Sequence, residues 1–535
     1  MNFSFTAGQN MKKVIRCEGG VRLNYKNSFD KLRDKVASPV PHNKAPDNFS
    51  RSLQENIGTL KKLFGNDDTL IVREFSTPSP FSLKCAVFFI ESMTNELAVS
   101  EFLIKGIMAL KIPPSIDPIE DIYKKRMLGS DVVIEDDPSK IIFALLSGSS
   151  VFFADGSYKA ILADTKGYDS RTVTEPQNEK LLRGPREGFT EKITTNISLI
   201  RRRIVTTDLK FRFFTFGRRT NTLVAVTYLE SLAKPEIVET LCERLSKIDI
   251  DGIIDSNYIE ELICERPGAP FKTVGSTERP DTVASRLLEG RIAIIVNGTP
   301  TVLTVPFLFA ENFQSGDDYY LNFIYANVGR LLRYLSFFLA VSVPAVYVAL
   351  LTFHQQMMPS NFALSIVAAR EGVPFPAAAE CAALLLVFEI LRETSVRMPN
   401  VIGQMLGIVG AIVIGESAVS AKIVSAPMVI VVGLTALTSL MVPRLKSAVL
   451  YYRLLLLFWS SIIGLYGYIF GCGLLIVRLL SMKSFGENYV SYFIAPNIQQ
   501  MKDSFVRVQW RKMIERPADL SKDLVRQSSV KGEKR

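Results

Sequence analysis

A Gly-Val-Pro-Phe-Pro turn between residues 370 and 397 opens a predicted apolar helix that carries the ionisable side chains Glu380, Glu389 and Arg392. An ionisable residue at the centre of a helix in lipid costs about 2.5–3.5 kcal/mol, so such residues usually face protein or water. The stretch therefore predicts one of two structures. Either the helix lines an aqueous path, or it is buried among its neighbours with its charges paired.

Helix geometry separates the three charges. Glu380 and Glu389 are nine residues apart, which places them on opposite faces of a regular helix. Glu389 and Arg392 are three apart, and we predict that they form a structural ion pair. Glu380 has no charged neighbour one turn away, so we expect an unpaired carboxylate. It shares its face with Val373, Ala377, Ala383, Leu384 and Val387.

The composition changes along the 535-residue chain, from mixed and polar before about residue 325 to strongly apolar between 330 and 480. The first part shows strand patterns and hairpin signals at Asp155-Gly156 and Asn297-Gly298. We also assign Ile141–Leu146 to a strand, and we find no convincing internal repeat. The predicted fold is an α/β cytoplasmic region of two subdomains followed by an α-helical transmembrane bundle. The predicted parts are a basic flexible arm (1–48), two α/β subdomains (49–170 and 171–325), the transmembrane helical domain (326–482) and a basic C-terminal tail (483–535).

Three uncharged runs are long enough to cross the hydrocarbon core, which takes about 20 residues of helix. They are Tyr334–Phe353, Ile423–Pro443 and Leu454–Val477. Residues 401–419 give another candidate span, and the helix at 376–392 either crosses or is re-entrant. The expected number of spans is therefore four or five.

The side of the membrane on which the tail lies stays open at this stage. No apolar leader is visible near the N-terminus, so we expect the α/β region to stay in the cytoplasm. Five spans then keep Arg444 and Lys446 on the cytoplasmic side but place the basic tail outside. Four spans place the tail in the cytoplasm but Arg444 and Lys446 outside. The positive-inside rule does not decide between the two topologies.

Several function classes find no support in the sequence. The formal charge of +10 fits basic loops and anionic lipid in a membrane protein better than nucleic acid. Six scattered cysteines and two histidines give neither a zinc site nor a disulfide framework. No phosphate loop, HExxH or GxSxG motif is present. We therefore predict no catalytic residue, no cofactor and no metal.

A set of ordered motifs between about residues 50 and 500 closely resembles the GerA family of spore germination proteins, specifically the A subunits of germinant receptors. The motifs are Glu175-Pro176, Leu182 to Phe189 (LRGPREGF), Thr195-Asn196 with Arg201-Arg202-Arg203, Thr277 to Asp281 (TERPD), Leu288 to Arg291 (LEGR), Asn297 to Pro300 (NGTP), Asp317 to Tyr320 (DDYY), Arg370 to Pro376 (REGVPFP), Phe388 to Glu393 (FEILRE) and Ile402 to Gln404 (IGQ). Thr394-Ser395-Val396 departs from the small Ala-Gly pair of many relatives.

The resemblance implies an integral protein of the spore inner membrane, without enzymatic activity, that senses nutrients together with a transporter-like B subunit and a lipoprotein C subunit. It also implies self-association into a homo-oligomeric, ligand-gated ion channel that triggers ion and dipicolinate release. A non-conducting scaffold that transmits the signal and a paralogue that acts in dipicolinate release are the alternatives.

A secondary transporter is a further alternative, because a broken helix with Gly and Pro can hold a substrate at the membrane midplane. Such transporters usually repeat the broken helix, and we find no second Gly-Val-Pro-Phe-Pro element between 330 and 480. In a channel, an acidic ring would favour cations. We therefore predict that Glu380 and its strip line the conduction path: Val373, Ala377, Glu380, Ala383, Leu384 and Val387.

Overall fold

The computed structural model describes residues 46–526, apart from 66, 79–81, 111–116, 127–131, 168–174, 177, 398–414 and 492–499. Most of the predicted basic arm lies outside these residues, as does most of the candidate span at 401–419. An α/β region precedes a bundle of apolar helices, as the composition predicts. The predicted subdomain boundaries stay a prediction.

The first α/β unit, residues 46–167, is called unit 1. Its helices are α1 (Leu53–Phe64), α2 (Glu96–Ala98), α3 (Lys105–Met108), α4 (Pro118–Arg126) and α5 (Pro138–Leu146), and a π-helical segment, Val99–Ile104, joins α2 to α3. Its strands are β1 (Leu70–Ser76), β2 (Lys84–Ile90), β3 (Val132–Glu135), β4 (Ser150–Ala154) and β5 (Ala160–Ala163).

The strand assigned to Ile141–Leu146 is wrong, because these residues lie in α5. Asp137 caps this helix by accepting a hydrogen bond from the Ser139 amide, and Pro138 takes the first helical position. Both are helix-start signals. A short apolar run fits a buried strand and a buried helix equally well, so the flanking residues decide.

The second α/β unit, residues 175–321, is called unit 2. Its helices are α6 (Ile193–Arg201), α7 (Pro235–Ser246), α8 (Ser256–Ile263), α9 (Pro280–Leu287) and the short α10 (Asp317–Tyr320). Its strands are β6 (Leu209–Phe216), β7 (Thr222–Leu229), β8 (Gly275–Thr277), β9 (Ile292–Val296) and β10 (Val302–Val305).

The two units are structural copies of each other, so the expectation of no internal repeat is wrong. Within the described residues each unit has one five-stranded antiparallel sheet, in the order β1-β2-β4-β5-β3 and β6-β7-β9-β10-β8. In both sheets the strands of the unit, counted along the chain, lie in the order first, second, fourth, fifth and third. The registers also match, since Leu70 pairs with Ile90 in unit 1 and Leu209 pairs with Leu229 in unit 2.

Matching hydrogen bonds support the duplication. Asn56 in α1 accepts from the Ser50 amide at 2.8 Å and donates to the Ser50 carbonyl at 2.6 Å. Asn196 in α6 makes the same two bonds with Thr190, at 2.8 and 2.6 Å. Each asparagine thereby ties the start of its helix to the preceding loop.

A buried ion pair joins the two units. Arg201 at the end of α6 contacts the carboxylate of Asp67 and the hydroxyl of Thr69 in unit 1. Lys210 in β6 donates to the carbonyl of Phe64, at the end of α1. Arg201 and Lys210 are both about 1% exposed. Within the basic cluster Arg201-Arg202-Arg203, Arg201 therefore joins the two units, whereas Arg202 and Arg203 pair with the partly exposed Glu187.

The bundle is formed by α11 (Phe323–Thr352), α12 (Ser360–Arg370), α13 (Ala377–Arg397), α14 (Ala426–Leu440), α15 (Lys446–Ile463) and α16 (Leu465–Leu480). Among the described residues two helical segments, Phe323–Thr352 and Pro443–Ile463, are long and apolar enough to cross a membrane. Two shorter apolar helices, Ala426–Leu440 and Leu465–Leu480, accompany them.

The predicted single span Leu454–Val477 is wrong, because the chain turns back at Gly464. Gly464 has φ +68°, a conformation that glycine adopts without steric cost. The two helices then pack side by side, with the Trp459 and Phe470 rings 5.2 Å apart. At Gly467 and Gly471 an added Cβ would approach Trp459 and Leu456 to 2.1 and 2.4 Å. A count of apolar residues does not detect such a turn.

This helical hairpin returns the chain to unit 2. After α16 a small hairpin, β11 (Lys483–Ser484) and β12 (Glu487–Asn488), inserts Phe485 into the core of unit 2. Phe485 is 4% exposed although its φ is +52°, and the Arg244 guanidinium lies 4.5 Å from its ring centroid.

The C-terminal strap, residues 500–526, lies on the same side as the α/β region. Arg507 and Asn327 exchange two hydrogen bonds, and Arg526 pairs with Glu289 of unit 2. Arg444 also lies on this side, paired with Glu179 at 2.7 Å. Arg444 and the strap therefore both contact unit 2, and the side of the membrane on which they lie stays a prediction.

Candidate functional site

The charged helix α13 follows a turn that its sequence requires. Gly372 has φ +90°, and an added Cβ there would approach the Lys422 side chain to 2.9 Å. Pro374 and Pro376 keep this segment out of the preceding helix, and the Glu380 amide then donates to the Pro376 carbonyl at 3.0 Å. The turn folds α12 back towards the first turn of α13.

Glu380 is paired, so the expectation of an unpaired carboxylate is wrong. It is 1% exposed. Its Oε1 accepts from the Ser425 amide and from the Ser425 hydroxyl, each at 2.6 Å. Its Oε2 lies 3.4 Å from Arg370 Nη2. Arg370 is ten residues earlier in the sequence, and only the turn between α12 and α13 brings it near.

The residues that were predicted to share a face with Glu380 differ in how deeply they are buried. Ala377 is buried like Glu380 itself, whereas Val373, Leu384 and Val387 are half-buried and Ala383 is exposed. Ala377 packs in a cluster with Val348 of α11 and Met428 of α14. Part of the strip thus faces the interior of the chain and part reaches its surface. The role of these six residues in a path stays a prediction.

Glu389 contacts Arg392 on its own helix and also Arg453 on α15. Arg392 Nη2 and Arg453 Nη2 reach different oxygens of the carboxylate, the second at 2.5 Å. Arg453 is 1% exposed. The sequence predicted the local pair, but Arg453 was missed because its partner lies on another helix.

This cluster contains more positive than negative charge. Two guanidinium groups share one carboxylate, and Arg453 Nε and Nη1 and Arg392 Nε have no hydrogen-bond acceptor among the described residues. An incompletely compensated charge in an apolar bundle is costly. Neither Glu380 nor Glu389 therefore presents an unpaired negative charge within a single chain.

A second buried charge network fastens α11 to unit 2 and to the strap. Arg330 is fully buried and donates to Asp318 at 3.2 Å and to the Asp503 carboxylate at 2.9 Å. Arg333 also contacts Asp318. Burial raises the pKa of Asp503, although Arg330 opposes the rise. The sequence signal was a pair of arginines just before an uncharged span, next to the Asp317-Asp318 motif.

Unit 2 and the bundle share a hydrophobic core. Phe271 of unit 2 lies 5.4 Å from Tyr452 of α15, and Phe309 lies 6.1 Å from Phe337 of α11, between ring centroids. The described core clusters of unit 1 contain no bundle residue. Unit 1 therefore reaches the bundle through unit 2.

A cavity of about 260 Å³ lies between the two units. Its lining residues are Thr69, Glu91, Ser92, Ile193, Thr194, Ile197, Phe213 and Leu223. Burial and the nearby Glu96 raise the pKa of Glu91. Ser92 Oγ is buried and has no partner among the described residues. The cavity can hold a small molecule with one polar and one apolar end.

Comparison with known proteins identifies the family. The family profile described as "Bacillus/Clostridium GerA spore germination protein" matches residues 58–519. The chain belongs to the GerA family. It is 41% identical to spore germination protein KA of Bacillus subtilis (strain 168) over 90% of this chain and 89% of that protein.

Two further proteins are similar to this chain. The chain is 38% identical to the uncharacterized membrane protein YfkQ of the same strain, over 91% of this chain and 94% of that protein. The crystal structure of the N-terminal domain of the A subunit of the Bacillus megaterium spore germinant receptor GerK3 covers 49% of this chain and 97% of that chain. Its identity is 32% and its TM-score 0.40.

Proposed function

We propose that the chain is the A subunit of a nutrient germinant receptor in the spore inner membrane. Membership in the GerA family carries this proposal, together with full-length similarity to spore germination protein KA. In the proposed complex it acts with a transporter-like B subunit and a lipoprotein C subunit. Spores that lack only this chain should lose the response to one nutrient and keep their response to others. A mutant with an unchanged response to every nutrient tested would refute the proposal.

The proposed membrane topology has an even number of crossings, with the α/β region in the cytoplasm. Both ends of the bundle support it, because α11 begins at unit 2 and α16 ends in the hairpin that inserts Phe485 into unit 2. A cysteine at Ser481 and one at Ser315 should therefore label from the same side. A cysteine at Gln355 should label from the other side.

The proposed activity is cation conduction by a homo-oligomer through the face of α13 that carries the predicted strip. Ala383, Val387 and Leu384 reach the surface of the chain and are available to a path between subunits. Glu380 is held by Ser425 and Arg370, so it contributes a negative charge to the path only after the Arg370 contact opens. In the proposed channel this contact keeps the path closed.

A conductance measurement would distinguish the proposed channel from the alternative functions. The three subunits would be reconstituted together in planar bilayers and exposed to nutrients. Unitary cation currents support the channel, and solute uptake without unitary current indicates a secondary transporter. Nutrient binding without either points to a signal-transmitting scaffold. Dipicolinate release without any nutrient partner indicates a paralogue in ion or dipicolinate release.

A second proposed site is the cavity between units 1 and 2. Its unpartnered Ser92 hydroxyl and its apolar walls favour a small nutrient-sized ligand. Ser92→Leu would fill the cavity and should raise the nutrient concentration needed for half-maximal germination at least tenfold. An unchanged dose response would exclude this cavity as the nutrient site.

A further inference from the structure

The C-terminal strap docks on unit 2 through an isolated β-bridge. Ser521 forms a β-bridge with Ala233. The Lys522 amide donates to the Leu232 carbonyl at 2.9 Å. These contacts use the backbone of the turn that follows β7, and they lie far from the strap in sequence.

Unit 1 has the equivalent groove, and a different segment fills it. Thr94 forms a β-bridge with Lys166, and the Gly167 amide donates to the Met93 carbonyl at 3.2 Å. Met93 and Leu232 both follow a Glu-Ser pair at the end of the second strand of their units. The two bridges are therefore the same contact in two copies of one fold.

The difference lies in the origin of the added strand. In unit 1 it is the chain that directly follows β5 (Ala160–Ala163). In unit 2 the chain after β10 leaves for the bundle, and the groove is filled by residues from the C-terminal end. Strand addition of this kind draws its affinity from backbone hydrogen bonds and its specificity from a few side chains.

Leu520 is the apolar anchor of the docked strand. It is fully buried in a cluster with Leu308 and Ala310. On either side Arg516 Nε donates to the Leu288 carbonyl at 2.9 Å, and Arg526 pairs with Glu289 at 2.7 Å. The groove thus holds a turn, in which the Leu520 and Ser521 amides both donate to the Pro517 carbonyl, with the leucine between two arginines.

The other end of the strap is fixed to the bundle. Asp503 pairs with Arg330 of α11 at 2.9 Å, and Arg507 is bonded to Asn327 one turn earlier. A displacement of unit 2 relative to the bundle must therefore stretch or release the strap.

We propose that unit 2 carries a strand-accepting groove, centred on Leu232, Ala233 and Gly290, whose occupant is the C-terminal segment 517–526. We further assign to this docking the transmission of unit 2 movements to α11. The groove is inferred from the described contacts alone, whereas the transmission role rests on the proposed receptor function.

Peptide binding tests the groove directly. The chain ending at Lys512, purified in detergent, is titrated with a fluorescent synthetic peptide of residues 513–526. Saturable binding is expected. A Leu520→Ala peptide should bind at least tenfold more weakly, and a Leu524→Ala peptide should bind like the wild type because Leu524 is 41% exposed. Absence of binding, or equal loss in both variants, would overturn the groove.

Two glycines provide a matched pair in the groove itself. At Gly290 an added Cβ would lie 2.7 Å from the Leu520 carbonyl oxygen, whereas at Gly298 no atom lies within 4 Å. Their φ values, +89° and +94°, impose the same backbone strain. Gly290→Ala should weaken peptide binding, and Gly298→Ala should leave it unchanged.

Hydrogen exchange can be measured on the full chain. It therefore tests the docking of the strap independently of whether the truncated chain folds. In Leu520→Ala the Lys522 amide should exchange at least tenfold faster than in Leu524→Ala. Equal protection in the two variants would contradict docking through Leu520.

Germination of spores carrying these variants tests the transmission role. Leu520→Ala should slow the nutrient response several-fold at a normal protein level, and Leu524→Ala should not. A normal response despite a released strand would refute transmission and leave the groove intact. A wild-type chain without any nutrient response would instead refute the proposed function, with the peptide result unaffected.

Discussion

The Glu380 carboxylate accepts two hydrogen bonds from Ser425, one from the backbone amide and one from the hydroxyl, each at 2.6 Å. Ser425 directly precedes α14, so this contact joins the first turn of α13 to the first turn of α14. Arg370 approaches the second carboxylate oxygen. The charge that was expected to be free thus holds three helices together at one end of the bundle.

Ser425→Ala should lower the free energy of unfolding by about 1.5–3 kcal/mol, the usual contribution of a hydrogen bond to a charged group. Thermal unfolding in detergent would measure the loss. Ser417→Ala is the control, because Ser417 is exposed, and it should change little. Equal melting temperatures for the two variants would mean that the Ser425 hydroxyl does not stabilise Glu380.

The cluster around Glu389 predicts an asymmetric response to substitution. Glu389→Gln leaves the buried guanidinium of Arg453 and the half-buried guanidinium of Arg392 without a counter-charge and should cost about 3–5 kcal/mol. Arg453→Met should cost much less, because Glu389 keeps Arg392 and two unsatisfied guanidinium nitrogens are removed. Unfolding in detergent compares the two variants. A larger cost for Arg453→Met would show that the cluster has another acidic member.

The joint between the α/β units depends on Arg201. Arg201→Met strands the buried Asp67 carboxylate and should destabilise the chain by about 3–5 kcal/mol. Arg202→Met is the matched control, since its contact with Glu187 is partly exposed and such pairs contribute about 0–1 kcal/mol. Limited proteolysis near residues 168–174 would report separation of the units. Similar cleavage in both variants would contradict the joint.

The contact between Glu179 and Arg444 should make the junction sensitive to acid. Burial would raise the pKa of Glu179, but Arg444 and the Thr277 hydroxyl hold it below its ordinary value of 4.5. Because the folded pKa is lowered, this stabilisation is present above pH 4.5 and is lost as the pH falls through the folded value. The difference in melting temperature between wild type and Glu179→Gln should therefore shrink below pH 4.5. A constant difference would contradict the ion pair.

The sequence predicted what depends on local pattern. The hairpin at Asn297-Gly298 and the Glu389–Arg392 contact both involve neighbours in the chain, and both are present. Contacts between distant residues were missed. Arg370 contacts Glu380 and Arg453 contacts Glu389 through tertiary packing, which helical spacing does not predict.

Two further misses had a weak signal in the sequence. Gly464 interrupts a long apolar run, but glycine is common in membrane helices, so its turn was not distinguished from a continuous span. The duplication was visible as a Phe and an Asn-Ile pair at the same spacing in Phe49 to Ile57 and Phe189 to Ile197. Apart from such short matches the two units have diverged, and the shared strand order shows the repeat more clearly than the residues do.

Single-channel recording of the reconstituted three-subunit complex tests the central claim most directly, with Glu380→Gln compared against Glu371→Gln. Glu371 is an exposed carboxylate in the same turn and serves as the matched control. We expect nutrient-evoked cation currents in the wild type and in Glu371→Gln, and a clear loss of cation over anion preference in Glu380→Gln. Nutrient-evoked currents with the same ion preference in both variants would contradict the assignment of Glu380 to the path.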